Sequence, residues 1–192
     1  MPQLDLFGTP SRIILDDYSG SIVYHAGALE AMEAAALFER LMREIEWRSE
    51  RRMMYDREVA VPRLVASVAA PEAAAFGLEA ALEIVESLAR ARFSSIGLNL
   101  YRDGRDSVAP HNDTLGDLEP HAPIALLSLG AARRMTIRSK GRPRRIFDLD
   151  LEPGSVLVMS YATQHHYDHG IPKTNETVGP RISAAFRARG AF

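Results

Sequence analysis

A histidine and an aspartate in the C-terminal half of this 192-residue chain have the spacing of metal ligands. His111 and Asp113 are separated by one residue, so in an extended segment both side chains project to the same side. The chain contains no cysteine, and any metal must therefore bind to His, Asp or Glu. A loop with a capping Asp is the alternative interpretation, so a third ligand is required.

The third ligand is expected among the histidines that follow a buried strand ending near Tyr161. We favour His169 because the turn-forming sequence Gly170-Ile171-Pro172 follows it and could hold the imidazole at the mouth of a β-sandwich. His165 and His166 are the alternatives. Two histidines and one carboxylate on one face leave three positions open on ferrous iron, and oxygen and an organic cosubstrate need those positions.

Two arginines on the last predicted strand indicate an anion. Arg181 and Arg187 share one face of that strand with Ser183, and six residues of strand span roughly 20 Å. Two long side chains reaching inward leave a gap of about the length of a five-carbon dicarboxylate. Asn99 and Tyr101 share the polar face of another strand and offer an amide and a phenol to the same ligand. A surface ion pair is the alternative for either arginine taken alone.

The elements that must position these residues change in periodicity near residue 95. Before it, apolar residues recur at three and four positions over 27–47 and again after Pro71, which predicts two amphipathic helices. After it, alternating and continuously apolar segments predict at least six short strands, at 95–101, 123–130, 135–138, 147–151, 155–160 and 181–187. This order predicts an α+β fold in which the helices cover one side of a two-sheet sandwich or jelly roll.

The composition fits one globular domain, because 46% of the residues are hydrophobic and 25% are charged, which excludes a disordered or collagen-like chain. No apolar run reaches the length of about 18 residues that spans a bilayer, and the acidic first residues do not form a secretory signal. The net charge of -2 gives no overall attraction to nucleic acid, so such a partner needs a local basic patch. The absence of cysteine suits a reducing cytoplasm.

Four motifs resemble, in order, those of AlkB-type iron(II) and 2-oxoglutarate dioxygenases: Asn99-Leu100-Tyr101, His111-Asn112-Asp113, His169-Gly170-Ile171-Pro172 and the strand 181–187. The resemblance extends from about residue 47 to residue 187. It implies a double-stranded β-helix, which is a jelly roll, flanked here by the two N-terminal helices. It also implies oxidative demethylation of N-alkylated nucleobases with Fe(II), oxygen and 2-oxoglutarate, releasing succinate, carbon dioxide and formaldehyde.

The resemblance assigns roles to individual residues. It implies that His111, Asp113 and His169 bind the iron, and that Arg181 pairs with the distal carboxylate of 2-oxoglutarate. Four further residues would bind elsewhere along the cosubstrate: Asn99, Tyr101, Ser183 and Arg187.

The chain departs from the family pattern at two places. Thr114-Leu115 stand where many relatives have an acidic residue that contacts the damaged base, which changes the expected base preference. Ser183 stands where relatives often have Asn, so one hydrogen bond to the cosubstrate is lost or passes to water.

The segment 51–64 resembles the nucleotide-recognition lid of the family. A flipped base is held between aromatic or apolar faces while cations contact the flanking phosphates. The residues with these properties are Met54, Tyr55, Arg51, Arg52 and Arg63, and His166 could line the same pocket. A solvated charged hairpin is the alternative interpretation.

Two further segments suggest macromolecular partners. The basic run over 133–145 is predicted to contact phosphates, and an ordinary solvated strand edge is the alternative. We predict that residues 1–10 form a flexible tail, in which Gln3-Leu4-Asp5-Leu6-Phe7 resembles the peptide by which bacterial repair proteins bind the sliding clamp. The alternative is that these apolar residues pack on the domain as an edge strand.

We therefore predict a single dioxygenase domain over 11–192, with its jelly-roll core over 95–187, that acts as a nucleic-acid demethylase. A monomer with no membrane partner is expected. One alternative is a dioxygenase of the same fold that hydroxylates a protein side chain or a small molecule, which Leu115 and the modest net charge favour. A second alternative is an inactive jelly-roll binding module.

Overall fold

The structure, a computed structural model, describes residues 11–54 and 57–190. Within these ranges the strands are β1 (Ser11–Asp17), β2 (Gly20–His25), β3 (Arg48–Met54), β4 (Arg57–Ala69), β5 (Ser95–Tyr101), β6 (Val108–His111), β7 (Ile124–Gly130), β8 (Arg133–Ser139), β9 (Ile146–Leu151), β10 (Val156–Met159), β11 (Tyr167–Ile171) and β12 (Arg181–Arg187). The helices are α1 (Ala31–Glu44), α2 (Glu79–Ala89) and α3 (Thr163–His166), with 3-10 helices at Ala70–Phe76 and Leu115–Asp117. No helix in the described ranges has the length and apolar character needed to cross a membrane.

The strands form two antiparallel sheets. The large sheet has the order β1-β2-β10-β7-β12-β5-β4-β3, and the small sheet has the order β6-β11-β8-β9. The strands β5 to β12 contribute four strands to each sheet, which is the arrangement of a jelly roll. The predicted fold is therefore confirmed, and β1 to β4 extend the large sheet beyond the predicted core of 95–187.

The two faces of the large sheet pack against different layers. Ile182, Ala184 and Phe186 of β12 join the apolar cluster under α1 and α2, while Ala185 belongs to the cluster between the two sheets. Because strand side chains alternate between faces, Arg181 also faces the small sheet. The alternation predicted for this strand is confirmed, and it directs the charged residues into the sandwich.

The helices are shorter than the sequence predicted. The first covers Ala31–Glu44 within the predicted 27–47, and Pro71 lies in the first turn of a 3-10 helix, Ala70–Phe76, that ends before the second α-helix. Gly77 separates the two because its φ of +73° is left-handed, and a Cβ there would come within 2.6 Å of Arg40. The strands that sequence reasoning did not predict are β1, β2, β3, β4, β6 and β11.

Arg133 does not belong to a phosphate-binding surface, which corrects the prediction for the basic run. Only 3% of the residue is exposed, and its guanidinium donates to three backbone carbonyls: Asp103 at 3.0 Å, Asp106 at 3.0 Å and Pro172 at 2.8 Å. The alternation of β8 turns this side chain inward and Arg134 outward. Arg133 therefore connects the loop that contains Asp103 and Asp106 to the loop that contains Pro172.

We predict that Arg133→Met lowers the free energy of unfolding by roughly 2–4 kcal/mol, because three carbonyls lose a charged donor. Arg134→Met is the matched control, since Arg134 forms an exposed ion pair of 3.1 Å with Asp150, and it should lower the free energy of unfolding far less than Arg133→Met. Urea unfolding of both variants measures the difference. Equal losses would contradict the structural role of Arg133.

Candidate active site

A cavity of about 780 Å³ opens on the inner face of the large sheet, where it meets the small sheet. The predicted site residues that line it are Arg63, Asn99, Tyr101, His111, Asp113, His169, Ser183 and Arg187. A more open depression lies at the end of α2 and contains none of the predicted residues. The structure thus brings together, in one cavity, residues from five strands and one loop.

The two histidines of the site face each other because of strand pairing. His111 at the end of β6 lies directly opposite His169 on β11, and their ring centroids are 4.6 Å apart. His111 Nδ1 lies 2.9 Å from the carbonyl of Ala109, which orients the ring and leaves Nε2 on its other side. Burial, together with the smaller effect of nearby His111, lowers the pKa of His169 to about 3. The His169 imidazole is therefore neutral at physiological pH, as metal binding requires.

The Asp113 carboxylate is held in a bidentate ion pair with Arg187. Both hydrogen bonds, from Arg187 Nε and Nη2, are 2.9 Å long. Burial favours the protonated acid, but the hydrogen bond and charge of Arg187 outweigh it and lower the pKa of Asp113. Asp113 is therefore an ionised carboxylate at neutral pH.

Arg187 differs from the sequence prediction. It was expected to reach along a dicarboxylate, but its guanidinium contacts Asp113. With both Asp113 oxygens bonded to Arg187, no three His, Asp or Glu groups in the described part of the chain converge closely enough to hold a metal in this conformation. The donor set of two imidazoles and a carboxylate still has the composition that suits ferrous iron.

Arg181 does not itself line the cavity, but it lies next to Tyr101, which does, and its charge has no ion-pair partner among the described residues. Its side chain is fully buried, Nε donates to Ser128 Oγ at 2.9 Å, and its guanidinium carbon lies 5.3 Å from the ring centroid of Tyr101. Neither terminal nitrogen has a hydrogen-bond partner among the described residues. Burial lowers the pKa of Arg181 to about 10, so it remains a cation at neutral pH. A buried, unpaired guanidinium calls for an anion, and a carboxylate matches its two parallel donors.

The strand register of the large sheet determines where the other polar groups of the site lie. Tyr101 lies opposite Arg181, and Asn99 lies opposite Ser183, across the β5–β12 pair. Asn99 Oδ1 accepts a hydrogen bond of 2.7 Å from Arg63 Nε on the neighbouring strand β4. The inner face thus presents a phenol, an amide and a hydroxyl next to the buried cation.

Gln164 and Lys140 support the loop that carries Asp113, and sequence reasoning missed both. The buried Gln164 side chain accepts a hydrogen bond of 3.0 Å from the Asp113 backbone N–H. Lys140 Nζ donates to Asn112 Oδ1 and to the Gln164 carbonyl, both at 2.8 Å. The only sequence signal was an amide beside the His165-His166 pair.

The predicted base-contacting residues have different outcomes. Arg63 lines the cavity, whereas His166 does not, and its ring lies 6.3 Å from that of Tyr18 on the surface. Tyr55 lies outside the described residues, as do the side chains of Arg51, Arg52 and Met54, whose backbone forms β3. The assignment of His166 to the base pocket is therefore corrected.

The remaining basic run follows β8 and lies mostly on the surface. Arg145 forms an ion pair of 2.6 Å with Asp17, and Lys140 supports the Asp113 loop. Arg142 and Arg144 are exposed. These two residues keep the phosphate-contacting role as a prediction.

Comparisons with known proteins agree with the fold and the motifs. The family model described as the 2OG-Fe(II) oxygenase superfamily matches residues 68–187. The human DNA oxidative demethylase ALKBH2 is 33% identical over 117 residues, which are 57% of this chain and 45% of that protein. The bovine alpha-ketoglutarate-dependent dioxygenase alkB homolog 3 is 30% identical over 182 residues, covering 84% of this chain and 63% of that protein.

A solved structure, that of OsALKBH1, shares the fold. It superposes with a TM-score of 0.59 at 13% identity, covering 93% of this chain and all of that one. The chain spans less than two thirds of the length of the two curated relatives described above. The match of the family model over more than half of the chain, with the ordered motifs on the inner face of the jelly roll, shows that the chain belongs to the 2OG-Fe(II) oxygenase superfamily, and the curated relatives it is similar to are AlkB homologues.

Proposed function

We propose that this chain is an iron(II)- and 2-oxoglutarate-dependent dioxygenase that demethylates N-alkylated bases in DNA or RNA. The observation that carries the proposal is the buried Arg181, whose terminal nitrogens have no partner among the described residues and lie in the same sandwich as the facing His111 and His169. Relatives of this chain include one named as a DNA oxidative demethylase. Together these features favour a cosubstrate carboxylate at Arg181 and a metal at the histidines.

The proposed metal ligands are His111, Asp113 and His169. Bound iron supplies oxygen activation coupled to decarboxylation of 2-oxoglutarate, as its family implies. Asp113 has enough lone pairs to bind a metal and to accept a hydrogen bond from Arg187, and that bond would orient the carboxylate. The neutral His169 needs no deprotonation before it binds a metal.

The proposed cosubstrate site extends from Arg181 along the inner face of β5 and β12. Arg181 would bind the distal carboxylate, while Tyr101, Asn99 and Ser183 contact the rest of the molecule. We propose that Arg187 contributes to cosubstrate binding indirectly, because its ion pair fixes the position of the Asp113 carboxylate. The apolar residues between the sheets exclude water from this end of the cavity.

The proposed substrate is an alkylated base that enters from the side of β4. Arg63 lines this side of the cavity, and the segment 51–64 with Arg51, Arg52, Met54 and Tyr55 is proposed as the recognition lid. Arg142 and Arg144 are the exposed cations available to nearby phosphates. Thr114 and Leu115 provide no acidic contact to the base, so hydroxylation of a protein side chain or small molecule is the second candidate.

The demethylase function predicts loss of methyl groups from oligonucleotides that contain 1-methyladenine or 3-methylcytosine. After incubation with iron(II), 2-oxoglutarate and ascorbate, mass spectrometry should show the unmethylated product. His111→Ala, Asp113→Ala and His169→Ala should each reduce turnover more than about 100-fold, since even residues that only support ligands contribute 10–100-fold. The matched control Asp150→Ala removes an exposed carboxylate and should retain activity.

Two outcomes would contradict parts of this assignment. If His169→Ala remains active and His165→Ala or His166→Ala is inactive, the third metal ligand is His165 or His166 and not His169. Iron-dependent succinate formation with no demethylation of any oligonucleotide would favour the hydroxylase candidate.

Arg181→Lys should raise the concentration of 2-oxoglutarate needed for half-maximal activity by about tenfold or more, because an ammonium cannot form the bidentate fork with a carboxylate. Thermal unfolding should change little, since Lys keeps the buried charge and most of the alkyl chain. The control is Arg134→Lys, because Arg134 is an exposed arginine of the small sheet that does not line the cavity. An unchanged cosubstrate requirement would remove Arg181 from the site.

We also propose that the N-terminal segment Gln3-Leu4-Asp5-Leu6-Phe7, which lies outside the described residues, binds the bacterial sliding clamp. The Leu6→Ala and Phe7→Ala double variant should then lose clamp binding in surface plasmon resonance without a change in melting temperature. A destabilised double variant, with no clamp affinity in the unmodified chain, would instead indicate an edge strand. A monomer is the proposed assembly state, and the cytoplasm is the proposed location.

A further inference from the structure

A row of aromatic rings crosses the surface beside the cavity, and none of them has a role in the site described above. Its members, in spatial order, are His121, Tyr161, His165, His166 and Tyr18, which we call the ring row. Successive ring centroids are 5.9, 5.7, 6.4 and 6.3 Å apart. The residues come from three separate parts of the chain, so the row is a product of the fold.

The rings of this row contribute little to the packed core. His121, His165, His166 and Tyr18 are exposed, and Tyr18 is 93% exposed. Only Tyr161 packs partly against the cluster between the sheets. An exposed aromatic side chain adds almost no stability through burial, so a contiguous row in which four of five rings are exposed indicates a binding surface.

The framework under the ring row is rigid. The β1–β2 turn that carries Tyr18 is bonded to the segment before α3, because Ser21 N–H donates to Ser160 Oγ at 2.9 Å. Gly20 has a φ of +120°, and a Cβ there would come within 2.6 Å of Ser160 Oγ, so only glycine permits this approach. The Lys140 N–H donates to the His166 carbonyl at 2.8 Å. The rings are therefore presented at fixed positions on a preorganised surface.

The charges around the row suit a polyanion. Asp17, which precedes Tyr18, is paired with Arg145, and Asp168 lies 3.8 Å from Lys140 and 4.0 Å from Arg138. These cations neutralise Asp17 and Asp168, while Arg142 and Arg144 on the adjoining loop are exposed. Three further exposed carboxylates lie close in the chain to Tyr18 or His121: Asp16, Asp117, which is 3.9 Å from Arg189, and Glu119. Exposed aromatic rings next to exposed cations form the kind of surface that binds unpaired nucleotides.

We propose that the ring row binds the unpaired nucleotides that flank the reacting base, by stacking of bases on its exposed rings. This inference rests on the proposed action on nucleic acid and adds a second contact surface outside the cavity. The middle of the row is connected to the loop that carries Asp113, since the Gln164 side chain accepts a hydrogen bond from Asp113 N–H and Gln164 immediately precedes His165. A strand leaving the cavity on this side would therefore meet the rings next.

The test is the binding of unmodified fluorescein-labelled oligothymidylate, measured by fluorescence anisotropy without iron or 2-oxoglutarate. Tyr18→Ala, His165→Ala and His166→Ala combined should raise the Kd for a strand of about twelve nucleotides at least tenfold, because stacking contributes about 1–3 kcal/mol per base. The Kd for a strand of about three nucleotides should change much less, because it cannot reach from the cavity along the row. Replacement of the same three residues by Phe keeps the rings and should preserve binding.

Controls separate stacking from other causes. Met32→Ala removes an 83% exposed apolar side chain on α1 and should leave the Kd unchanged. A duplex of the same length should be bound more weakly than the single strand and should lose less affinity in the triple Ala variant, because paired bases do not offer their faces. Thermal unfolding should be unaltered in all variants, since the replaced side chains are exposed.

The proposal fails if the triple Ala variant binds the long strand as tightly as the unmodified protein, or if single strand and duplex lose affinity equally. It also fails if the unmodified protein binds a proline-rich peptide but no oligonucleotide. The demethylation assay judges the proposed function separately, because the anisotropy measurement requires no reaction. If methylated oligonucleotides are demethylated but the ring row does not contribute to binding, the proposed function stands and the proposal for this surface is rejected.

Discussion

The positive charge of Arg181 is the constraint on which the organisation of the cavity depends. Transfer of an ion into a protein interior costs several kcal/mol unless a partner compensates it. Arg133, also buried against Tyr101, is compensated by three backbone carbonyls. Arg181 has only the Ser128 hydroxyl and an aromatic face, and its two terminal nitrogens are unpaired among the described residues. The contrast between two neighbouring buried arginines identifies Arg133 as structural and Arg181 as a residue that needs an external anion.

Strand register converts the sequence pattern into this arrangement. The central strand β12 pairs with β5 and β7, so Arg181 lies opposite Tyr101 on one side and Gly130 on the other. On the small sheet, the β6–β11 register brings His111 opposite His169 across 58 residues of chain. Alternation alone was enough to predict which side chains share a face. The fold class and the grouping of Asn99 with Tyr101 were therefore readable from the sequence.

The partners of individual side chains were not readable in the same way, because they depend on groups that are distant in sequence. Parity places Arg187 on the inner face, but only the fold brings Asp113 to it, 74 residues away in the chain. The number of cations over 133–145 does not show which of them face inward. Only the fold shows that Arg133 on β8 faces inward and binds carbonyls from two other loops. Strand β1 escaped prediction because a bulge between Ile13 and Leu15 interrupts its alternation and Ile13, on this edge strand, is 65% exposed.

One short helix connects the reaction site to the outer surface. The Gln164 side chain on α3 accepts the N–H of Asp113, its carbonyl accepts Lys140, and the next two residues carry the central rings of the ring row. Because these groups belong to one hydrogen-bonded element, a strand bound to the rings, as we propose, would keep a fixed position relative to the Asp113 loop. Precise placement of the reacting group is what such a site must supply when the bound metal carries the difficult chemistry. The position of the substrate would then be determined by the hydrogen-bonded elements on this side of the cavity, which are α3 and the β1–β2 turn.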